Sequence, residues 1–207
     1  MQVTIQALDA QHQDAAFALA TQVFSVSSTL HRALGISLDV YRRYLRPSFD
    51  KMADEGLSVV ALDTKDTAVG CMIVTDFHRG LTEEARPDPS FAPIAALTSA
   101  LCTQYHGHRQ IAAGEVILVD MGAVSPAATG AKVYQRMRAE VHRHAKSHGF
   151  VHVVGELSSS ATQHVVLNRL GHRKVAEIAF ARFECFGHFP FQSITSPPSI
   201  VLAEGEL

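Results

Sequence analysis

The sequence predicts a mixed α/β fold, with a central sheet of about seven strands flanked by helices. Three observations carry this. Short β-branched apolar runs alternate with amphipathic stretches from end to end. Residues 114–150 read as a buried strand, a small-residue turn and a long helix. The chain has 207 residues and 47% hydrophobic content, enough to bury a sizeable core as one domain spanning 1–207.

The elements follow in order. Val3, Ile5 and Ala7 mark a first strand, and Ala16, Leu19, Ala20 and Val23 form a helical stripe that breaks at Ser25–Ser28. Ser37 is placed to N-cap a second helix with Leu38, Tyr41 and Leu45 inward; Pro47 is expected to kink or restart it. Leu57–Leu62 and Ala68–Phe77, joined by Asp63-Thr64-Lys65-Asp66, read as an antiparallel hairpin. A Pro-rich linker leads to Ser90 and a helix with Phe91, Ile94, Leu97, Leu101 and Tyr105 on one face. The strand at 116–124 and the helix opening near Ala131 come next, and Gly149 stops that helix. Val151–Leu157 is a strand, Ala161–Leu170 a short helix closed by Gly171, and Lys174–Phe186 and Ser199–Ala203 the last strands.

Composition excludes several classes. A net charge of −2 argues against a nucleic-acid binder working through bulk electrostatics. The three cysteines, Cys71, Cys102 and Cys185, have neither metal spacing nor a disulfide pattern, which suits a reducing, cytoplasmic setting. No signal peptide is read at Met1, and no apolar run is long enough to cross a membrane. His144 and His148, an i, i+4 pair, lie beside Arg143 and Lys146, so no metal site is expected.

The stretch 114–150 is the most informative. Val116-Ile117-Leu118-Val119 is a strand covered on both faces, and Ala127-Ala128-Thr129-Gly130-Ala131 has almost no side-chain bulk. A strand that passes through such a turn into a helix points the first free backbone N–H groups of that helix at open space, a ready anion site.

Val124-Ser125-Pro126-Ala127-Ala128-Thr129-Gly130-Ala131-Lys132-Val133 resembles the acetyl-CoA loop of the GNAT superfamily of N-acetyltransferases, and Val166-Leu167-Asn168-Arg169-Leu170-Gly171-His172 resembles its second signature. The order of elements fits from end to end. The extra helix between strands 3 and 4 is similar to the arylalkylamine (dopamine-type) branch, as is Phe24–Ser37, where that branch binds its amine. The resemblance implies the GNAT fold, acetyl-CoA as co-substrate, a small amine as acceptor, and direct transfer in a ternary complex. It assigns Gly122, Ala123, Val124, Thr129, Gly130, Ala131, Lys132, Val133, Tyr134 and Ser160 to the CoA side. The charge and the apolar runs imply no nucleic-acid or membrane partner, and a homodimer is an assembly kept open. Thr129, Lys132, Tyr134, Leu167 and His172 depart from the family pattern, and Leu167 stands where many members carry an acid tyrosine. A CoA-binding module without strong catalysis is therefore the alternative.

Amine acylation by a thioester needs a base for the ammonium and donors for the thioester oxygen. Asp120 is the first candidate base, the only charge within Val116–Val124; alternation places it on the side of Leu118, Gly122 and Val124. A structural carboxylate paired in the core is the competing reading. Glu156, near the end of the next strand, is the second candidate, with a solvated strand-end carboxylate as its alternative. His31 and His78 are candidates for lining the acceptor cleft.

Overall fold

The computed structural model describes residues 2–82, 88–107 and 109–207, and of 80–82 the backbone alone. Seven strands form one sheet: β1 (Thr4–Ala7), β2 (Val59–Leu62), β3 (Ala68–Asp76), β4 (Val116–Val124), β5 (His152–Leu157), β6 (Arg173–Ala179) and β7 (Ser199–Glu206), in the order β1-β2-β3-β4-β5-β7-β6. Among the described residues only β4 and β5 pair in parallel; the other ladders are antiparallel. The helices are α1 (Gln13–Ser27), α2 (Thr29–Leu34), α3 (Leu38–Asp54), α4 (Phe77–Thr82), α5 (Ala92–His106), α6 (Val133–Ser147) and α7 (Ser160–Gln163), the last continuing as π-helix through Arg169.

The caps explain the boundaries. Ser28 ends α1 and accepts from the His31 N–H to start α2, and Ser37 accepts from the Val40 N–H to start α3. Helix α6 ends where Gly149 turns left-handed (φ +90°) and the Phe150 N–H reaches back to the Ala145 carbonyl.

The sheet separates two helical layers. On one side α6 packs Val133, Met137, Val141 and Ala145 onto Val59, Ala61, Met72, Val74, Ile117 and Val119. On the other, α1 and α3 bury Ala16, Ala20, Tyr41, Leu45 and Phe49 against Val60, Cys71, Ile73, Met121 and Ala123. Helix α5 continues this second layer, placing Leu97 and Leu101 with Val116, Val154 and Leu202.

Three expectations need correction. Pro47 does not restart a helix: α3 runs unbroken from Leu38 to Asp54, with Tyr41, Leu45, Phe49 and Ala53 anchoring its buried stripe on both sides of Pro47. The sixth strand ends at Ala179, where a 3₁₀ turn at Phe180–Arg182 buries Phe180. Strand β4 does not alternate regularly through Asp120. Ile73 pairs with Met121 and Val74 with Val119, so Asp120 is an extra, bulged residue. Ile117 and Val119 therefore face α6, whereas Met121 and Ala123 face α1 and α3. Asp120 does not share a side with Gly122 and Val124.

Candidate active site

Strands β4 and β5 are paired only from Val116↔His152 to Val119↔Gly155. Beyond that rung β4 runs on to Val124 beside β3, and β5 to Leu157 beside β7. The strands thus part into a wedge. Asp120 and Glu156 are the first residues past the last shared rung, one on each arm.

Both point into the layer of α3 and α5. Glu156 follows Val154 on that face and accepts a hydrogen bond from the Cys102 thiol of α5 at 3.5 Å. The charge of Asp120 acts on Tyr41 and Tyr44 of α3, on Cys102 and on Glu156. Asp120 is reached by solvent at the mouth of the wedge, with protein atoms crowded around it. That crowding strips water from the carboxylate and raises its pKa to about 6. Glu156 is raised further, to about 7, by desolvation first and by the charge of Asp120 second. Among the described residues no donor reaches Asp120. Asp76 is the contrast: its two oxygens accept from the His78 and Gly114 N–H groups at 3.0 and 2.8 Å, as a structural carboxylate does.

An aromatic wall stands beside the carboxylates. Tyr44 stacks on Phe91 at 3.8 Å between centroids, Tyr41 stacks on Phe91 at 5.8 Å, and His31 leans on Tyr41 at 4.4 Å. The Tyr41 hydroxyl points at the Met121 sulfur (3.9 Å), which ties the wall to β4 just past the bulge. Burial holds the His31 pKa down at about 4, so its imidazole is neutral near pH 7. His78 is engaged elsewhere, its Nδ1 3.0 Å from the Ile111 carbonyl.

The small-residue loop lies at the open end of β4. Ser125 caps a 3₁₀ turn at Pro126–Ala128; Gly130 (φ +86°) and Lys132 (φ +54°) are left-handed, and α6 begins at Val133. No atom lies within 4 Å of where a Cβ on Gly130 would sit. The first intrahelical bond is from the Arg136 N–H to the Lys132 carbonyl, so the N–H groups of residues 133–135 precede it. Thr129, Gly130 and Lys132 are exposed, Ala131 is half-buried and Val133 is core. Tyr134 lies flat on Gly122, its ring 2.6 Å from a Cβ built there, and packs on the cluster of Leu157, Val166 and Leu167. Gly122 and Val124 face this α6 side; Ala123 faces α1 and α3. Ser160 opens α7, directly after β5, with its hydroxyl 3.3 Å from that of Ser196.

Sequence reasoning missed Cys102 and Tyr44 and took Tyr41 and Phe91 for core alone. The signal was weak: Cys102 and Tyr44 each sit one helical position away from the apolar stripe. His144 and His148 stack at 4.6 Å on the far end of α6, and no metal-holding group of side chains occurs among the described residues. His108 lies outside the described residues.

A parallel β4–β5 pair that opens at a bulge, with α6 following β4 through a small-residue loop, defines the GNAT fold. The chain has that fold over its whole length. It superposes on the C-terminal condensation domain of Ebony, solved in complex with β-alanyl-dopamine, with a TM-score of 0.87, 15% identity and full coverage of both chains. It is also similar to the polyamine N-acetyltransferase of Drosophila melanogaster (TM-score 0.78, 17% identity, full coverage of both). Arylalkylamine N-acetyltransferase 2 of Aedes aegypti gives a TM-score of 0.77 at 14% identity over 100% of this chain and 99% of that one. No protein-family model and no curated protein matches the sequence. Among the described residues no helix is long and apolar enough to cross a membrane.

Proposed function

We propose that this chain is an N-acyltransferase that moves an acetyl group from acetyl-CoA to a small arylalkylamine by direct attack in a ternary complex. The observation that carries the reading is the pair Asp120 and Glu156 at the mouth of the wedge, both with raised pKa, beside the wall of His31, Tyr41, Tyr44 and Phe91.

The loop fits the donor. The free N–H groups at the start of α6, with Gly130, Ala131 and the Lys132 ammonium, suit a pyrophosphate. The unpaired edge of β4 from Gly122 to Val124 offers backbone groups to the amides and thioester of the arm, as an added strand would. The wall receives the aromatic ring, and the ammonium then lies against Asp120. Asp120 takes a proton from the ammonium, and the free amine attacks the thioester carbon as the carbon–sulfur bond breaks. Glu156, protonated in part of the population near pH 7, returns a proton to the departing thiolate, and the carboxylate so formed takes the surplus proton of the acylated nitrogen. This supplies the acid that Leu167 cannot.

A CoA-binding module with weak catalysis is the second reading, favoured by Tyr134 covering Gly122 and by Leu167 in place of a hydroxyl. Incubation with acetyl-CoA and a panel of aromatic and aliphatic amines, read by mass spectrometry, separates the two. Multiple-turnover acetylation with aromatic amines preferred supports the first. Saturable CoA binding with no amide formed from any amine supports the second. β-Alanyl-CoA belongs in the donor panel, since one protein of this fold was solved with a β-alanyl amide.

A further inference from the structure

On the α6 side of the sheet, away from the carboxylates, Arg138, His142 and His172 share one seam and leave buried nitrogens without hydrogen-bond partners among the described residues. Tyr134, Arg138 and His142 recur at i, i+4 and i+8 along α6, beside the apolar stripe that holds the sheet. Arg138 is fully buried, and none of its guanidinium nitrogens finds an acceptor among the described residues. Its Nη2 lies 2.7 Å from where a Cβ on Gly155 would sit. His172 covers Gly205 in the same way, its ring atoms 2.5–2.7 Å from a Cβ built there. Gly155 and Gly205 are next-but-one neighbours across the β5–β7 ladder, so two glycines clear one strip of sheet for these groups. His142 stacks on His172 at 5.4 Å, and the His142 Nε2 and His172 Nδ1 also lack partners.

A buried guanidinium without a counter-charge costs several kcal/mol. Water can accept from it but brings no charge. No carboxylate acts on either imidazole; both pKa values are held down at about 4, by burial first and then by the charge of Arg138. A cation is disfavoured by that same charge. His142 is the half-buried member of the seam.

We infer that Arg138, His142 and His172 form a binding site for a small oxyanion, a phosphate or a carboxylate, separate from the acyl-transfer cleft. Arg138 supplies the charge and a forked set of donors, and each imidazole supplies one N–H. Nothing in this inference depends on the transferase reading.

The test is a thermal unfolding titration of the full chain with sodium phosphate and, separately, sodium acetate, each against sodium chloride at matched ionic strength. A saturable rise in Tm with phosphate or acetate beyond that with chloride, lost in Arg138→Met, is the expected result, and the arm that responds identifies the oxyanion. Histidine C2–H resonances, assigned with His142→Gln and His172→Gln, give a second readout on the wild type. Both imidazoles should titrate at higher pH when the anion is bound. Equal responses to all three salts with unmoved histidine signals overturn the site, as does an undiminished response in Arg138→Met. If Arg138→Met does not fold, the wild-type histidine titration decides.

Discussion

One extra residue decides what surrounds Asp120. Without the bulge, Gly122 and Val124 would share the face of Leu118 and Asp120; with it, Asp120 keeps the side of Leu118, toward the α3–α5 layer, while Gly122 and Val124 turn to α6. A bulge depends on the register of the partner strand, so no local pattern in β4 announces it. The residue was legible as the one charge in an apolar run, and so was its side shared with Leu118; the change of face beyond it was not. The raised pKa has a consequence for stability. A carboxylate whose folded pKa lies above its unfolded value binds more protons when folded, so stability falls as pH rises from about 4 through about 6 for Asp120, and through about 7 for Glu156. Removing the charge should then stabilise the protein above those values. Asp120→Asn and Glu156→Gln are each expected to melt no lower than wild type at pH 8, and higher than wild type relative to the same comparison at pH 4. A lower Tm at pH 8 would mark a paired structural carboxylate, as at Asp76.

At the scale of elements, the segment from β4 through the loop into α6 was readable, because small residues, a helical stripe and a glycine stop each leave a local mark. The contacts between elements were not. Tyr134 recurs with Met137 and Val141 on the apolar stripe of α6, and nothing in its spacing says that it covers Gly122. Gly122→Ala places a methyl 2.6 Å from the Tyr134 ring and should cost about 1–3 kcal/mol of stability in a denaturant titration, as overpacking does. Most of that loss should be recovered in the double variant with Tyr134→Ala; no recovery would mean that the strain lies in β4 itself. The hairpin is tied to α1 by His12, whose Nδ1 is 2.7 Å from Asp9 and whose Nε2 is 3.3 Å from Asp66 at the β2–β3 turn. These partners, Asp9 first, raise the His12 pKa. The gain is fully present below the unfolded value near 6.5 and is lost as pH rises through the folded pKa. Asp66→Asn should therefore lower Tm at pH 5.5 and leave it nearly unchanged at pH 9. An equal loss at both would assign the effect to the left-handed turn at Asp66 instead.

Across the whole molecule, the sequence made the strand and helix order legible, since burial on both faces of a sheet writes itself into apolar runs. The wedge was less so, because it depends on where two strands stop pairing. The donor reading can be tested without knowing the amine. Acetyl-CoA should raise Tm, by roughly 2.7 kcal/mol of added stability at a hundredfold excess over Kd. Gly130→Val should remove that shift, because a β-branched residue resists φ near +86° and fills the open loop, while touching no core atom. An unchanged shift in Gly130→Val would move the donor elsewhere. The central claim, that the Asp120 carboxylate is the base of an acyl transfer, is tested most directly by measuring kcat and acetyl-CoA Kd of Asp120→Asn with an accepted arylalkylamine. The account predicts a fall in kcat of ~10²–10⁴-fold, a flattened acidic limb of the pH–rate profile, and a Kd within a few-fold of wild type. Wild-type turnover in Asp120→Asn would contradict it.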